Sequence, residues 1–177
     1  VNEYCRKYEK LVNGCVDIMI MGVGELGQVG FNEPGSYAHS TTRLVRLSYN
    51  SRKNQDKFFS NPNEVPKSAI TMGMQTIMSA KKIVLMMWGE DKAQVAYNLI
   101  EGDVTEEYPV TSLQEHQNVQ VVIDEAAAQE LTRVKEPWLV ASPQEWSDKL
   151  IRKAVIWLCQ TVNKPILKLT HQDYIKN

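Results

Sequence analysis

Apolar runs of strand length alternate along this chain with stretches of helical period. Residues 15–21, CVDIMIM, form a continuous apolar run closed by glycine, as expected for a strand buried on both faces. Residues 42–49, TRLVRLSY, alternate Leu44, Val45 and Leu47 with Arg43, Arg46 and Ser48 imperfectly, which suits a strand nearer the sheet edge. From Pro66 the segment PKSAITMGMQTIMSA brings Ile70, Met74, Ile77 and Met78 onto one side at helical spacing. KKIVLMMWG (81–89) is the clearest strand, and Gly89 ends it. EDKAQVAYNLIEG (90–102) opens with acids, places Ala93, Ala96, Tyr97 and Ile100 on one face, and stops at Gly102, which reads as a glycine-capped helix. NVQVVIDE (118–125) repeats the strand signal and AAAQELTR (126–133) the helical one. Short joints between such elements predict crossover units, hence an α/β fold with a parallel, doubly wound sheet and helices on both faces.

The pattern changes after residue 135. Pro137, Trp138, Pro143 and Trp146 mark a connector, and residues 147–162, SDKLIRKAVIWLCQTV, follow as an amphipathic helix. Ser147 is its expected cap, and Leu150, Ile151, Ala154, Val155, Leu158 and Val162 its apolar stripe. The chain is therefore read as an α/β domain over 1–135 and a linker with a C-terminal helix over 136–177. Its 177 residues, 43% hydrophobic, can bury a real core. Twenty Lys and Arg against 21 Asp and Glu create no overall field that would gather nucleic acid or a membrane surface, so any anion site is local. Cys5, Cys15 and Cys159 fit neither a disulfide framework nor a metal knuckle and read as reduced thiols of a cytoplasmic protein. No apolar stretch approaches the roughly 20 residues that span a bilayer, and no signal-peptide order opens the chain. A first residue of Val1 rather than Met reads as a piece of something longer.

In parallel α/β sheets ligands bind beyond the carboxyl ends of the strands. Two loops have suitable chemistry. After the first strand, Gly22 and Gly24 allow close backbone approach, and Glu33 stands between Asn32 and Pro34. After the clearest strand, Lys92 falls in the first turn of a helix, where a cation opposes the helix dipole and calls for a nearby anion. The glycines at 22, 24, 27 and 30 do not have the spacing of the dinucleotide fingerprint. His39, His116 and His171 are isolated, which argues against a metal site. Arg43, Arg46, Arg52, Lys53 and Lys57 are either a phosphate-binding patch or an exposed strand and helix face.

MGVGELGQVGFNEPGS, TRLVRLS, KFF, VPKSAITMG, WGEDKA and IEGDV together resemble, in order and spacing, the glucosamine-6-phosphate deaminase family, also called isomerases. The resemblance runs over about residues 10–135 and looks like the second half of the family's domain, so the sheet is expected to be truncated at its N-terminus. From Glu136 on, the chain is similar to the linker of longer relatives in which another catalytic module follows. The resemblance implies conversion of glucosamine 6-phosphate to fructose 6-phosphate and ammonia with no metal or cofactor. A carboxylate moves a proton between sugar carbons, an Asp and His pair with a further Glu assists ring opening, and basic residues hold the phosphate. By this resemblance Glu33 is the catalytic ring-opening carboxylate, and Gly22, Gly24, Lys57 and Lys92 bind substrate, Lys57 standing where the family has Arg. Ser36 and Arg43 match positions that hold an allosteric amino-sugar phosphate, although Val45 replaces a basic partner there.

The departures are as specific as the matches. Leu26 stands in place of the family Asp and Gln28 in place of the His, and neither can carry a proton at neutral pH. Glu25 is one position away and, in an extended loop, points elsewhere. The resulting expectation is a deaminase-type domain of amino-sugar metabolism whose partner is a phosphorylated amino sugar, with a homo-oligomer and a longer multidomain chain both allowed. The alternative is a non-catalytic regulatory or assembly domain that binds the sugar phosphate.

Overall fold

The structure is a computed structural model that describes residues 1–12, 14, 16–141 and 145–176. Two compact units divide it, Val1–Glu130 and Leu131–Asn177.

The first unit is organised around strand β4 (Lys82–Met87). Its run of β-branched and long apolar residues suits a pleated, buried position, and it pairs in parallel with β1 (Ile18–Gly22) on one edge and β5 (Val119–Ile123) on the other. The register sets Met21 beside Leu85 and Leu85 beside Val121. Ile83, Leu85 and Met87 are fully buried and share one cluster with Met74, Ile77, Val95, Ala96, Leu99, Val110 and Leu113. Those partners come from helices α3 (Met74–Met78) and α4 (Ala93–Ile100) and from the tight helical turn Pro109–Glu115. The α/β class and the parallel sheet are as the periodicity predicts.

Five local readings are corrected. The first apolar run is not buried on both faces: Cys15 lies outside the described residues, the strand starts at Ile18, and Met19 and Met21 pack on the core while Ile18 and Ile20 are 59% and 65% exposed. β1 is the edge of the sheet, and its Ile18 and Ile20 are left open to solvent. β2 (Arg43–Arg46) is a strand, but it pairs antiparallel with β3 (Ser68–Thr71) in a separate two-stranded sheet. The segment from Pro66 is accordingly not one helix; Ser68–Thr71 is extended, and α3 begins only after Gly73. There the chain crosses residues 40–41 so closely that a Cβ on Gly73 would lie 2.0 Å from the Ser40 carbonyl oxygen, and Ser40 receives the first helical amides, Met74 N–H on Oγ at 3.1 Å and Gln75 N–H on its carbonyl at 3.0 Å.

The helix read over 90–102 is a tight turn, Glu90–Lys92, leading into α4, and its buried side is Ala93, Val95, Ala96 and Leu99, with Tyr97 and Ile100 turned outward. The helix read over 126–133 breaks into α5 (Glu125–Ala128) and α6 (Thr132–Lys135) around an extended Leu131. Helices α1 (Asn2–Val12) and α2 (Tyr49–Gln55) complete the first unit.

The second unit centres on α7 (Asp148–Thr161), and Ser147 Oγ accepts the Leu150 N–H at 3.3 Å as the sequence predicts. Leu158 is buried, Ile151 is exposed, and Trp138 meets the Trp157 ring edge-on at 6.2 Å. A short helix α8 (His171–Lys176) follows, where hydrogen bonds from Lys164 and Thr170 draw the Asp173 carboxyl down to about 2. Among the described residues no helix is long and apolar enough to cross a membrane.

Glu9 fastens α1 to the rest of the first unit. Its Oε1 accepts the Thr42 N–H at 2.6 Å and the Thr76 hydroxyl at 2.7 Å. Burial pushes its carboxyl up, and the hydrogen bonds from Thr42 and Thr76 outweigh that and hold it below the usual glutamate value. A lowered folded pKa gives stability that is complete above the unfolded value and is lost as pH falls through the folded one. Glu9→Gln keeps an acceptor but removes the charge, and is expected to cost ~1 kcal/mol at neutral pH. Denaturant titrations at stepped pH should show the gap to the unaltered protein closing below the ordinary glutamate range. A gap that stays constant with pH contradicts this account.

Candidate functional site

Because β1, β4 and β5 are parallel, their carboxyl ends lie at one end of the sheet, with Gly22 opposite Met86 and Met87 opposite Ile123. The chain leaves β1 through a tight loop. Gly24 N–H donates to the Gln28 carbonyl at 2.9 Å, and Gly27 N–H to the Gly24 carbonyl at 3.0 Å. Gly27 sits at φ +71° with Tyr108 packed against it, so only glycine fits without strain, and its carbonyl accepts the Val110 N–H at 2.9 Å.

Within this loop the Gln28 side chain is fixed. Its Oε1 accepts the Leu26 N–H at 2.9 Å, and a Cβ added to Gly24 would lie 2.2 Å from both the amide carbon and Nε2. An N–H must meet an acceptor, which settles the amide's orientation and leaves Nε2 as a donor with no partner among the described residues.

Two adjoining cavities flank the loop. Gly22, Val23, Gly24, Gln28, Gly30 and Phe31 line one of about 300 Å³ together with Ser51, Asn54 and Gln55 of α2. Glu25, Leu26 and Gln28 line the other, of about 270 Å³, with Asn50, Lys53 and Asn54. Gln28 and Asn54 belong to both, so the two form one cleft between the β1 loop and α2. Gln28, Asn50, Ser51, Asn54 and Gln55 give it amide and hydroxyl groups suited to hydroxyl-bearing ligands, beside the apolar Val23, Leu26 and Phe31 and the charged Glu25 and Lys53.

A polar network supports the cleft from behind. Asn32 is fully buried, donating to the Val29 and Met72 carbonyls at 3.0 and 2.7 Å and accepting from Arg43 Nη1 at 2.9 Å. Arg43 Nη2 reaches Ser36 Oγ at 3.4 Å, and partial burial lowers the pKa of its guanidinium. Both Glu33 oxygens accept the Ser48 N–H at 3.1 Å, and Ser48 caps α2 through the Ser51 N–H. Glu33 thereby anchors the helix that forms one wall.

Of the residues singled out from sequence, the cleft gathers Gly22 and Gly24. Glu33 stands behind it at the start of α2. Lys57 and Lys92 are not among the residues lining either cavity. Lys57 Nζ lies 5.2 Å from the Phe58 ring centre, and Lys92, 16% exposed, pairs with its neighbour Asp91, whose carboxyl that hydrogen bond holds low. Ser36 and Arg43 join the supporting network rather than the lining. Asp124 ties the β4 and β5 loops together, accepting the Gly89 and Ala127 N–H groups. His116 accepts the Asn118 N–H through Nδ1, so Nε2 donates to the Ala80 carbonyl and the ring is committed to the fold. Among the described residues no three His, Cys, Asp or Glu side chains gather to hold a metal ion.

Sequence reasoning did not place Gln28, Asn50, Ser51, Asn54 and Gln55 as lining residues. The available signal was the spacing in NSRKNQ, where Asn50 and Asn54, and Ser51 and Gln55, are four apart and share a helix face.

A parallel α/β domain with a polar cleft at the carboxyl ends of its strands is a small-ligand-binding class. Residues 1–123 match the family described as glucosamine-6-phosphate isomerases/6-phosphogluconolactonase, and the chain belongs to that family. It is 49% identical over 177 residues to a glucosamine-6-phosphate deaminase-like protein of Bacteroides thetaiotaomicron, covering 99% of this chain and 26% of that protein. It is 47% identical to a glucosamine-6-phosphate deaminase of Lactobacillus helveticus, covering 72% of this chain and 54% of that one. The solved structure of a monomeric glucosamine-6-phosphate deaminase matches with a TM-score of 0.70 and 41% identity over 73% of this chain and 54% of that chain. A 6-phosphogluconolactonase from Trypanosoma brucei, 19% identical with a TM-score of 0.55 over 73% of this chain and 53% of that one, shares the fold. The chain thus spans about half the length of the Lactobacillus helveticus deaminase and of the solved monomeric deaminase, and about a quarter of the Bacteroides thetaiotaomicron protein.

The contact between Gly24 and Gln28 is open to a double-mutant cycle. Gly24→Ala is expected to expel the Gln28 amide from Leu26 and cost ~1 kcal/mol. In a Gln28→Ala background most of that cost should vanish, because the clashing atoms are gone. Equal costs in the two backgrounds would show that the amide does not rest on Gly24.

Proposed function

We propose that the first unit is a glucosamine-6-phosphate deaminase-type domain that holds a phosphorylated amino sugar in the cleft between the β1 loop and α2, and that this loop does not itself carry out ring-opening proton transfer. The observation that carries the reading is the fixed Gln28 amide lining a cleft together with Asn50, Ser51, Asn54 and Gln55. These groups donate to and accept from sugar hydroxyls without titrating. Proton transfer requires a group that changes charge near the working pH within hydrogen-bond reach. Leu26 has no such group, and the Gln28 amide, its Oε1 held by the Leu26 N–H, forms hydrogen bonds without changing charge.

By the family pattern Glu33 is the ring-opening carboxylate, and Lys57 and Lys92 are phosphate-binding positions. Phosphate at Lys92 has to displace Asp91, with which the ammonium is paired. The same pattern makes Ser36 and Arg43 an effector position. The reading places the protein in the cytoplasm, with the phosphorylated amino sugar as its partner.

Calorimetric titration with glucosamine 6-phosphate, followed by an ammonia-release assay on the same sample, tests both halves. Saturable binding is expected, with release slower than that of the Lactobacillus helveticus relative by roughly 10²–10⁴, the usual share of general acid–base catalysis. Release near the relative's rate refutes the disabled loop. Absence of binding at millimolar ligand refutes the cleft assignment.

A further inference from the structure

The three-stranded sheet of the first unit is closed on one face and open on the other. Successive side chains of a strand point to opposite faces. Ile83, Leu85 and Met87 of β4 and Met19 and Met21 of β1 pack on the core, so the other face carries Ile18, Ile20, Val84, Met86 and Val122. The register runs them across the strands, Ile20 beside Val84 and Met86 beside Val122. Ile18 and Ile20 are exposed, and Val84, Met86 and Val122 are only half-buried. β1 pairs with β4 alone, and among the described residues no strand lies along its outer edge. A second apolar opening of the first unit, a groove of about 450 Å³, is lined by Tyr4, Tyr8 and Leu11 of α1 together with Ile70 and Met72.

Parallel sheets occur almost only with both faces covered, and an unpaired strand edge is a template for a further strand. The open face therefore calls for a cover, and the relatives indicate its size. The chain matches 54% of the Lactobacillus helveticus deaminase and 54% of the solved monomeric deaminase, so each of them has nearly as much chain again outside the matched part. A monomer has no second copy with which to cover this face, and only the rest of its own chain can do so. We propose that the open face and the outer edge of β1 dock an α/β polypeptide segment equivalent to that remaining part, a strand adding alongside β1 and apolar helix faces closing over Ile20, Val84 and Met86. The occupant is a segment of complementary fold, not a second copy of this chain. A strand laid parallel to β1 ends beside Gly22, so the docked segment borders the cleft. This association does not depend on what the cleft binds.

The test is co-expression of the whole chain with a tagged segment of the Lactobacillus helveticus deaminase, the part outside its match to this chain, followed by light scattering and calorimetry on what co-purifies. A one-to-one complex is expected with the segment and none with the intact deaminase, whose own chain covers the equivalent face. Ile20→Lys should weaken the complex by roughly tenfold or more, the effect of losing one buried aliphatic side chain, whereas Ile156→Lys, an exposed position in the second unit, should leave it unchanged. Alone, the chain should be monomeric, and the melting curve of Ile20→Lys should overlay that of the parent because Ile20 is open to solvent there. A lowered melting temperature would show that the chain itself already covers this face, and a homodimer that Ile20→Lys dissolves would make a second copy the occupant; either overturns the proposal. Failure of the soluble segment to co-purify, equal binding of the intact deaminase, or equal weakening by Ile20→Lys and Ile156→Lys overturns it as well.

Discussion

Burial of Ile83, Leu85 and Met87 on one face of β4 is the constraint from which the rest of the first unit follows. With hydrogen bonds on both edges and its core face closed, β4 cannot slip by a residue without turning these three side chains outward. The register it imposes brings Gly22 level with Met86 and Ile123 level with Met87, so three loops emerge at one end of the sheet. Each fully buried apolar side chain of this kind contributes about 1.5–3 kcal/mol relative to exposure. The position of the cleft is thus a product of core packing several residues away from it.

On that frame the cleft is held by short polar contacts, among them those of the charged Arg43 and Glu33. Gln28 is fixed by one backbone N–H and by the missing side chain of Gly24, and Asn32 satisfies its hydrogen-bonding groups while wholly buried. Glu33 is drawn onto the start of α2, which lends a negative charge to the end of a helix where it is favourable. A carboxylate fixed in this way orients a wall, and its family role in ring opening would have to be exerted from the same place. At positions 26 and 28 of the loop the side chains, Leu26 and Gln28, have no titratable atoms.

Membership of the glucosamine-6-phosphate isomerase/6-phosphogluconolactonase family agrees with this economy. The chain spans about half the length of the Lactobacillus helveticus deaminase and of the solved monomeric deaminase, and β1 carries the exposed Ile18 and Ile20 on a sheet edge. Similarity to the Bacteroides thetaiotaomicron protein covers 99% of the chain and so extends through the second unit, where Ser147 caps α7 and two tryptophans pack edge to face.

The amino-acid sequence by itself determined β4, β5, the glycine-rich loop and the capped helix after Ser147. These are written in local periodicity, in turn residues and in the chemistry of single side chains. Tertiary structure decided the pairing of β2 with β3, the break of the segment after Pro66, and the partner of Glu33. It also decided that Gln28, Asn54 and Lys53 share one cleft. The physical reason is distance along the chain. Contacts such as Phe31 with Thr71 and Arg43 with Asn32 join segments whose own residues are compatible with several conformations, and only the packed core selects among them.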